Sequence, residues 1–86
     1  MAGHILRLYA LSTCIHCRHA KDFLELHRLK YELVHADALV AEERKAVMKE
    51  VFKYNPRLSF PTLIVNDGED VIVGFNEEKY QRLIYG

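Results

Sequence analysis

The residues of this chain best suited to chemistry are its two cysteines, Cys14 and Cys17, which only Ile15 and His16 separate. An apolar run precedes the pair, and apolar residues at helical spacing follow it, so the pair lies where a strand passes into a helix. The chain has no other cysteine. A Cys-x-x-Cys in this setting indicates a redox-active pair.

Disulfide chemistry explains why the setting matters. The thiolate, not the thiol, attacks a disulfide. At the start of a helix the first backbone N–H groups lack partners and carry partial positive charge, which stabilises an anion. A cysteine one turn further on lies about 5–6 Å away between Cβ atoms, and a small adjustment brings it to the ~3.8 Å of a disulfide. We therefore interpret Cys14 as the exposed nucleophile and Cys17 as the resolving thiol.

Other interpretations of the pair stay open. Half of a zinc site could use both cysteines with His16 or His19, but structural zinc takes four ligands and typically a second pair, which this chain lacks. Two ordinary buried cysteines are a second interpretation. A metal ion or iron–sulfur cluster held between two copies through Cys14, and a redox-regulated binding module, are further hypotheses. The leading interpretation predicts no metal site and no bound cofactor.

Composition narrows the class of protein. Half of the 86 residues are hydrophobic and the net charge is zero, which predicts one domain spanning 1–86. The sequence has no basic patch that would indicate binding to nucleic acid. It also has no apolar run that approaches the ~20 residues of a membrane span. Arg7 interrupts the N-terminal apolar run, so we expect no signal peptide. We expect a cytoplasmic monomer, and there a cysteine pair is more often catalytic or metal-binding than structural.

The first half of the chain predicts a strand, a helix, a strand and a second helix. The strands are expected over His4–Tyr9 and Tyr31–Ala36, as a parallel unit around a helix that Ser12 or Thr13 caps and that ends near His27. Arg28 lies at the expected end of this helix, where a glycine is often found, and a left-handed conformation there would carry a penalty of roughly 1–2 kcal/mol. The buried stripe of this helix is predicted to be Cys17, Ala20, Phe23 and Leu24.

The second helix is expected over Val40–Tyr54. Its apolar face is predicted to be Val40, Val47, Met48, Val51 and Phe52.

The second half predicts two antiparallel strands and a last helix. Asp67-Gly68 is a hairpin signal between Thr62–Val65 and Val71–Val73. The last helix is expected to begin at Asn76 as its cap, with Phe75 and Tyr80 in a hydrophobic staple. Its core side chains are predicted to be Tyr80, Leu83 and Ile84. The remaining histidines, His4, His27 and His35, are interpreted as structural.

Three motifs in this order carry a resemblance to a known family. They are Thr13–Cys17 (Thr-Cys-Ile-His-Cys), Ser59–Thr62 (Ser-Phe-Pro-Thr) and Gly74–Glu77 (Gly-Phe-Asn-Glu). Together they resemble glutaredoxins of the thioredoxin superfamily. The resemblance implies an α/β, thioredoxin-like fold of glutaredoxin type, βαβ-α-ββα, with a four-stranded mixed sheet and three helices. It also implies a thiol–disulfide oxidoreductase that reduces protein disulfides or mixed disulfides with glutathione.

The resemblance also implies roles for residues outside the cysteine pair. A cis peptide bond is expected before Pro61, with its loop against the cysteines and the backbone of Phe60 turned outward to pair with an extended substrate. Thr13 and His16 are expected to support catalysis, His16 by favouring the thiolate and so the reduced state. The other residues expected to bind substrate are Arg57, Gly74, Phe75 and Asn76.

The chain departs from the usual glutaredoxin pattern at positions that hold glutathione. Ile15-His16 replaces a common Pro-Tyr, Leu11 stands near a common lysine, and Phe75 replaces the second of two glycines. Arg57 or Lys21 could supply a cation instead. The electron source is predicted to be glutathione or a thioredoxin-reductase-type donor, and these departures favour the second.

Overall fold

A computed structural model describes residues 5–85, and the side chains of residues 5–84. Its strands and helices follow the predicted order: β1 Leu6–Ala10, α1 Ile15–Leu26, β2 Glu32–His35, α2 Ala41–Tyr54, β3 Thr62–Val65, β4 Asp70–Val73 and α3 Glu77–Tyr85. Short 3-10 segments, Ala36–Ala38 and Asn66–Gly68, follow β2 and β3. His4, where we expected the first strand to begin, lies outside the described residues.

The four strands form one mixed sheet in the order β2-β1-β3-β4. β1 is parallel to β2 and antiparallel to β3, and β4 is antiparallel to β3. This is the predicted thioredoxin-like fold of glutaredoxin type. The two central strands are buried along almost their whole length, because helices cover both faces of the sheet and a strand between them carries near-continuous apolar residues.

The helices divide between the two faces. On one face, α1 and α3 pack against the sheet around Leu8, Leu24, Leu63 and Tyr80. On the other, Val51 of α2 packs against alternate strand residues such as Tyr9 and Ile64. The stripe predicted for α1 is confirmed, since Cys17, Ala20, Phe23 and Leu24 are all buried.

Two predicted core faces are wider than the real ones. On α2 only Val51 is buried, whereas Val40 and Phe52 are 67% and 55% exposed. On α3, Tyr80 and Leu83 are buried but Ile84 is 38% exposed. Each of these helices touches the sheet along a narrow strip, so helical spacing alone overestimates what is covered.

The predicted cap and hydrophobic staple of α3 are confirmed. Arg28 has φ of 57° after α1, and Asn76 caps α3 by accepting the N–H of Lys79 at 3.1 Å. The rings of Phe75 and Tyr80 lie 5.0 Å apart as the staple. Within residues 5–85, no helix has both the length and the apolar character that crossing a bilayer requires.

Candidate active site

Cys14 itself caps the helix that follows it. It has an extended backbone conformation, and its Sγ accepts the N–H of Cys17 at 3.2 Å. The prediction that Ser12 or Thr13 caps α1 is therefore wrong. Thr13 is exposed in the turn that the Cys14 N–H closes by donating to the Leu11 carbonyl at 3.3 Å. The Cys14 sulfur therefore lies at the N-terminal end of α1 and receives a backbone N–H donor there.

Cys17 has the opposite surroundings. It is 3% exposed, and its Sγ accepts the Leu11 N–H at 3.4 Å. Burial, and then the hydrogen bond with Cys14, raises the pKa of the Cys17 thiol to about 12. Both cysteines are free. Cys17 therefore stays protonated near neutral pH, whereas Cys14 is partly exposed and available for attack.

The loop before β3 lies against Cys14. The Phe60–Pro61 bond is cis, as the resemblance implied. The thiol of Cys14 points at the Phe60 carbonyl, with sulfur and oxygen 3.9 Å apart. The N–H of Phe60 donates to no other atom within residues 5–85. The Phe60 main chain therefore offers a donor and an acceptor beside the nucleophile.

A buried amide, Asn55, holds this loop from behind. It is 3% exposed, and its Nδ2 donates to the Ser59 carbonyl and to Thr62 Oγ1, both at 3.0 Å. Its Oδ1 accepts the N–H of Arg57 at 3.2 Å, and Thr62 Oγ1 donates to the Ser59 carbonyl at 2.7 Å. Asn55 was not among the residues predicted for the site, although the Asn55-Pro56 sequence after Tyr54 is typical of a helix end. The Asn-Pro step was the one available signal, and it did not reveal these contacts.

The third motif, Gly74–Glu77, is hydrogen-bonded to the loop that carries Phe60 and Pro61. The N–H of Gly74 donates to the Pro61 carbonyl at 2.8 Å, and Gly74 has φ of 77°, a conformation that favours glycine. The Phe75 ring turns inward, 6.1 Å from the rings of both His19 and Phe23. Asn76 is exposed at the start of α3.

Asp37 is a second residue that sequence reasoning missed. Its carboxylate accepts the backbone N–H of Ser12 at 3.0 Å and the Ser12 hydroxyl at 2.5 Å. These hydrogen bonds hold the pKa of the Asp37 carboxyl below its usual range. Asp37 thereby ties the turn in front of Cys14 to the end of β2.

Two of the residues predicted for the site, His16 and Arg57, lie at its edge with exposed side chains. His16 is exposed, and its ring lies edge-on to His19 with 6.4 Å between centroids. The Arg57 side chain is exposed, and only its backbone is tied to the loop. Within the described part of the chain, no three histidine, cysteine or acidic side chains are grouped to hold a metal ion.

The geometry agrees with comparisons to known proteins. The family model described as Glutaredoxin matches residues 6–71. This chain belongs to the glutaredoxin family. Glutaredoxin 1 of Archaeoglobus fulgidus superposes with a TM-score of 0.86 at 36% identity, covering 94% of this chain and 86% of that one. Methanoredoxin of Methanosarcina acetivorans gives 0.86 at 40% identity, covering 91% and 81%.

One curated relative is a much longer protein. The chain is 36% identical over 61 residues to prostaglandin E synthase 2 of Danio rerio. That match covers 71% of this chain but only 14% of the relative. The similarity therefore concerns one segment of the larger protein.

Proposed function

We propose that this glutaredoxin is a thiol–disulfide oxidoreductase that reduces protein disulfides or mixed disulfides with glutathione. The Cys14 thiolate attacks one sulfur of the substrate disulfide, forms a mixed disulfide and releases the other sulfur as a thiolate. Cys17 then loses its proton and attacks Cys14, which releases the reduced substrate and leaves the Cys14–Cys17 disulfide. Two electrons pass to the substrate, and a donor returns them to the pair.

The unequal surroundings of the two sulfurs carry the proposal. Cys14 is partly exposed and accepts a backbone N–H, while Cys17 is buried and its pKa is raised to about 12. A substrate sulfur can reach Cys14 from outside, and Cys17 reaches only the sulfur of Cys14. This difference supports the proposed order of attack, with Cys14 first and Cys17 second.

The backbone of Phe60 supports a protein substrate. Its free N–H and its carbonyl lie beside Cys14, so an extended peptide could pair with them as an added strand. Main-chain pairing tolerates many side chains, which suits a reductase with several disulfide-containing partners. We propose that the protein acts in the cytoplasm and that it is a monomer.

Trapping tests the assignment of roles. Cys17→Ser protein mixed with a disulfide substrate should accumulate a mixed disulfide on Cys14, visible as an adduct by intact-mass spectrometry. Cys14→Ser protein should form no adduct and show no reductase activity. Trapping by Cys14→Ser and not by Cys17→Ser would reverse the two roles.

For the donor, we propose a thioredoxin-reductase-type protein ahead of glutathione. Glu77 and Glu78 occupy the first turn of α3 and repel an anion there. Leu11 brings no charge. Arg44 lines a shallow depression of about 260 Å³ with Leu11 and Phe60, but its guanidinium already donates to the Leu39 carbonyl at 3.1 Å. Each missing charge-assisted hydrogen bond costs about 1.5–3 kcal/mol.

A paired assay separates the donors. Reduction of an insulin-type disulfide is followed once with glutathione and glutathione reductase, and once with thioredoxin reductase. We expect faster turnover with the second. Saturable reduction by glutathione at sub-millimolar concentration, with no turnover by thioredoxin reductase, would show that glutathione is the donor.

A further inference from the structure

The backbone of Leu11 makes a hydrogen bond with each of the two cysteines. Its N–H donates to the Sγ of Cys17 at 3.4 Å, and its carbonyl accepts the N–H of Cys14 at 3.3 Å. A hydrogen bond donated to a sulfur favours the thiolate over the thiol. The Leu11 N–H therefore helps Cys17 to lose the proton that it must lose before it attacks Cys14.

Asp37 holds the next peptide group in place. The Leu11 carbonyl and the Ser12 N–H belong to one planar peptide group. The carboxylate of Asp37 accepts that N–H with both oxygens, at 3.0 and 3.2 Å, and also accepts the Ser12 hydroxyl at 2.5 Å. Only the backbone dihedrals of Leu11 separate this peptide group from the N–H that faces Cys17. Fixing the first group therefore restricts the direction of the second.

The sheet brings Asp37 to this turn. β1 and β2 are parallel, and Ala10 lies opposite His35 at the ends of both strands. The chain then leaves β2 through the 3-10 segment Ala36–Ala38, which carries Asp37 to Ser12. Within residues 5–84, no hydrogen bond joins Asp37 to either cysteine. Asp37 can therefore act on the cysteines only through the backbone of the turn or through its charge.

These two effects of Asp37 on Cys17 have opposite signs. Burial is the main cause of the raised pKa of the Cys17 thiol, the negative charge of Asp37 adds to it, and the Leu11 N–H opposes it. The charge acts in this direction because a nearby anion disfavours a second one. Removing only the charge of Asp37 should therefore make Cys17 more reactive, whereas releasing the Leu11 N–H should make it less reactive.

We propose that Asp37 is a positioning residue for the resolving step, because it holds the Leu11–Ser12 peptide group and so keeps the Leu11 N–H directed at the sulfur of Cys17. The inference rests on the proposed function. Both cysteines line a cavity of about 410 Å³ beside this turn, and water there takes the proton of Cys17. The Cys17 thiolate then forms a bond to the Cys14 sulfur, the mixed disulfide breaks, and the substrate sulfur leaves as a thiolate. Electrons balance without any further reactant.

The test measures the two chemical steps in one experiment. Reduced protein is mixed with an equal concentration of dithiobis(nitrobenzoate), which releases a coloured nitrothiobenzoate when Cys14 attacks and another when Cys17 resolves the mixed disulfide. Stopped-flow absorbance gives a rate constant for each release. The second release is intramolecular, so its rate constant should not depend on protein concentration. Cys17→Ser protein should lack this phase, which assigns it to Cys17.

Two substitutions of Asp37 separate its position from its charge. Asp37→Ala removes both the acceptor and the charge, and it should slow the second release about tenfold, equal to ~1.4 kcal/mol, while the first release stays nearly unchanged. Asp37→Asn removes the charge but keeps an oxygen that can accept the Ser12 N–H, so the second release should be as fast as in the wild type or faster. Asp70→Ala is the matched control, expected to change neither release. The Asp70 carboxylate also accepts a backbone N–H, that of Val71 at 2.9 Å, at the opposite end of the sheet.

Three outcomes would overturn the inference and leave the proposed function standing. A second release that is accelerated equally in Asp37→Ala and Asp37→Asn would mean that Asp37 acts through its charge alone. An Asp37→Ala protein in which both releases slow by the same factor would reveal a general disturbance of the turn. An unchanged second release in Asp37→Ala would mean that the Leu11 N–H keeps its direction without Asp37. Wild-type protein that gives no first release, or no second, would overturn the proposed function and this inference with it.

Discussion

Replacing Asn55 by alanine should weaken both the fold and the site, because this one side chain ties together the loop that carries Phe60. Its amide is 3% exposed and joins the Ser59 carbonyl and Thr62 Oγ1, both at 3.0 Å, and the Arg57 N–H at 3.2 Å. The substitution removes these bonds and leaves buried groups of the loop under-satisfied.

The magnitude follows from the number of buried contacts. Two well-formed buried hydrogen bonds at about 1 kcal/mol each, with the penalty for the group left unpaired, give a loss of roughly 2–4 kcal/mol. A domain of 86 residues has a free energy of unfolding of roughly 4–13 kcal/mol. At the middle of these two ranges, the variant should remain folded at room temperature but melt about 10–20 °C lower.

The assay measures stability and activity together. Urea unfolding gives the loss of free energy, and the second-order rate of disulfide reduction is measured well below the midpoint. Leu83→Ala, a buried change on α3 of about 2–5 kcal/mol, is the control of similar stability. We expect Asn55→Ala to reduce the rate far more than Leu83→Ala does. A loss below ~1 kcal/mol, or equal rates for the two variants, would refute the claim that Asn55 positions the loop.

Three further predictions follow from single groups. Tyr80→Phe should raise the free energy of unfolding by about 1 kcal/mol in urea melts, because the Tyr80 hydroxyl is buried without a partner in the described structure; a loss would show that the hydroxyl has one. The folded-state pKa of Asp37 is lowered by Ser12, so its stabilisation is complete above the unfolded pKa of ~3.9 and is lost as pH falls through the folded value. Asp37→Asn should therefore weaken the pH dependence of the urea midpoint below about pH 5, and an unchanged slope would contradict this. His16→Ala should lower the reduction potential measured against a glutathione redox buffer, with His19→Ala as control, and identical potentials would end the role of His16.

The elements of this fold could be predicted because their signals are local. Alternating or continuous apolar residues marked each strand, and the predicted strand Thr62–Val65 has the observed bounds. Asp67-Gly68 marked the hairpin, where Asp67 has φ of 59°. A Cβ on Gly68 would lie 2.7 Å from the Tyr54 ring, so the turn also needs glycine for space. Burial on α2 was less predictable, because the exposure of Phe52 depends on how much sheet the helix covers.

What the sequence did not reveal is the set of contacts between distant segments. Asp37 meets Ser12 across 25 positions, at the ends of two parallel strands. Asn55 meets Thr62 across 7 positions, through a loop whose path is irregular. Neither follows a period, so no pattern in the sequence pairs them. Cys14 was missed as the helix cap for another reason: preferred caps are oxygen side chains, and here the sulfur of the nucleophile fills the position.

The contacts of Asp37 and Asn55 form the framework of the site, whereas its specificity depends on other residues. Asp37 fixes the turn on one side of Cys14, and Asn55 fixes the Phe60 loop on the other, so neither depends on the two residues between the cysteines. Ile15 is 56% exposed and His16 is exposed as well, which means that neither is needed to pack the fold. Their side chains project where a partner would approach the nucleophile. Substitution of Ile15 and His16 should therefore change the choice of donor and substrate with little effect on stability. The contacts of Asp37 and Asn55, in contrast, act on every substrate alike.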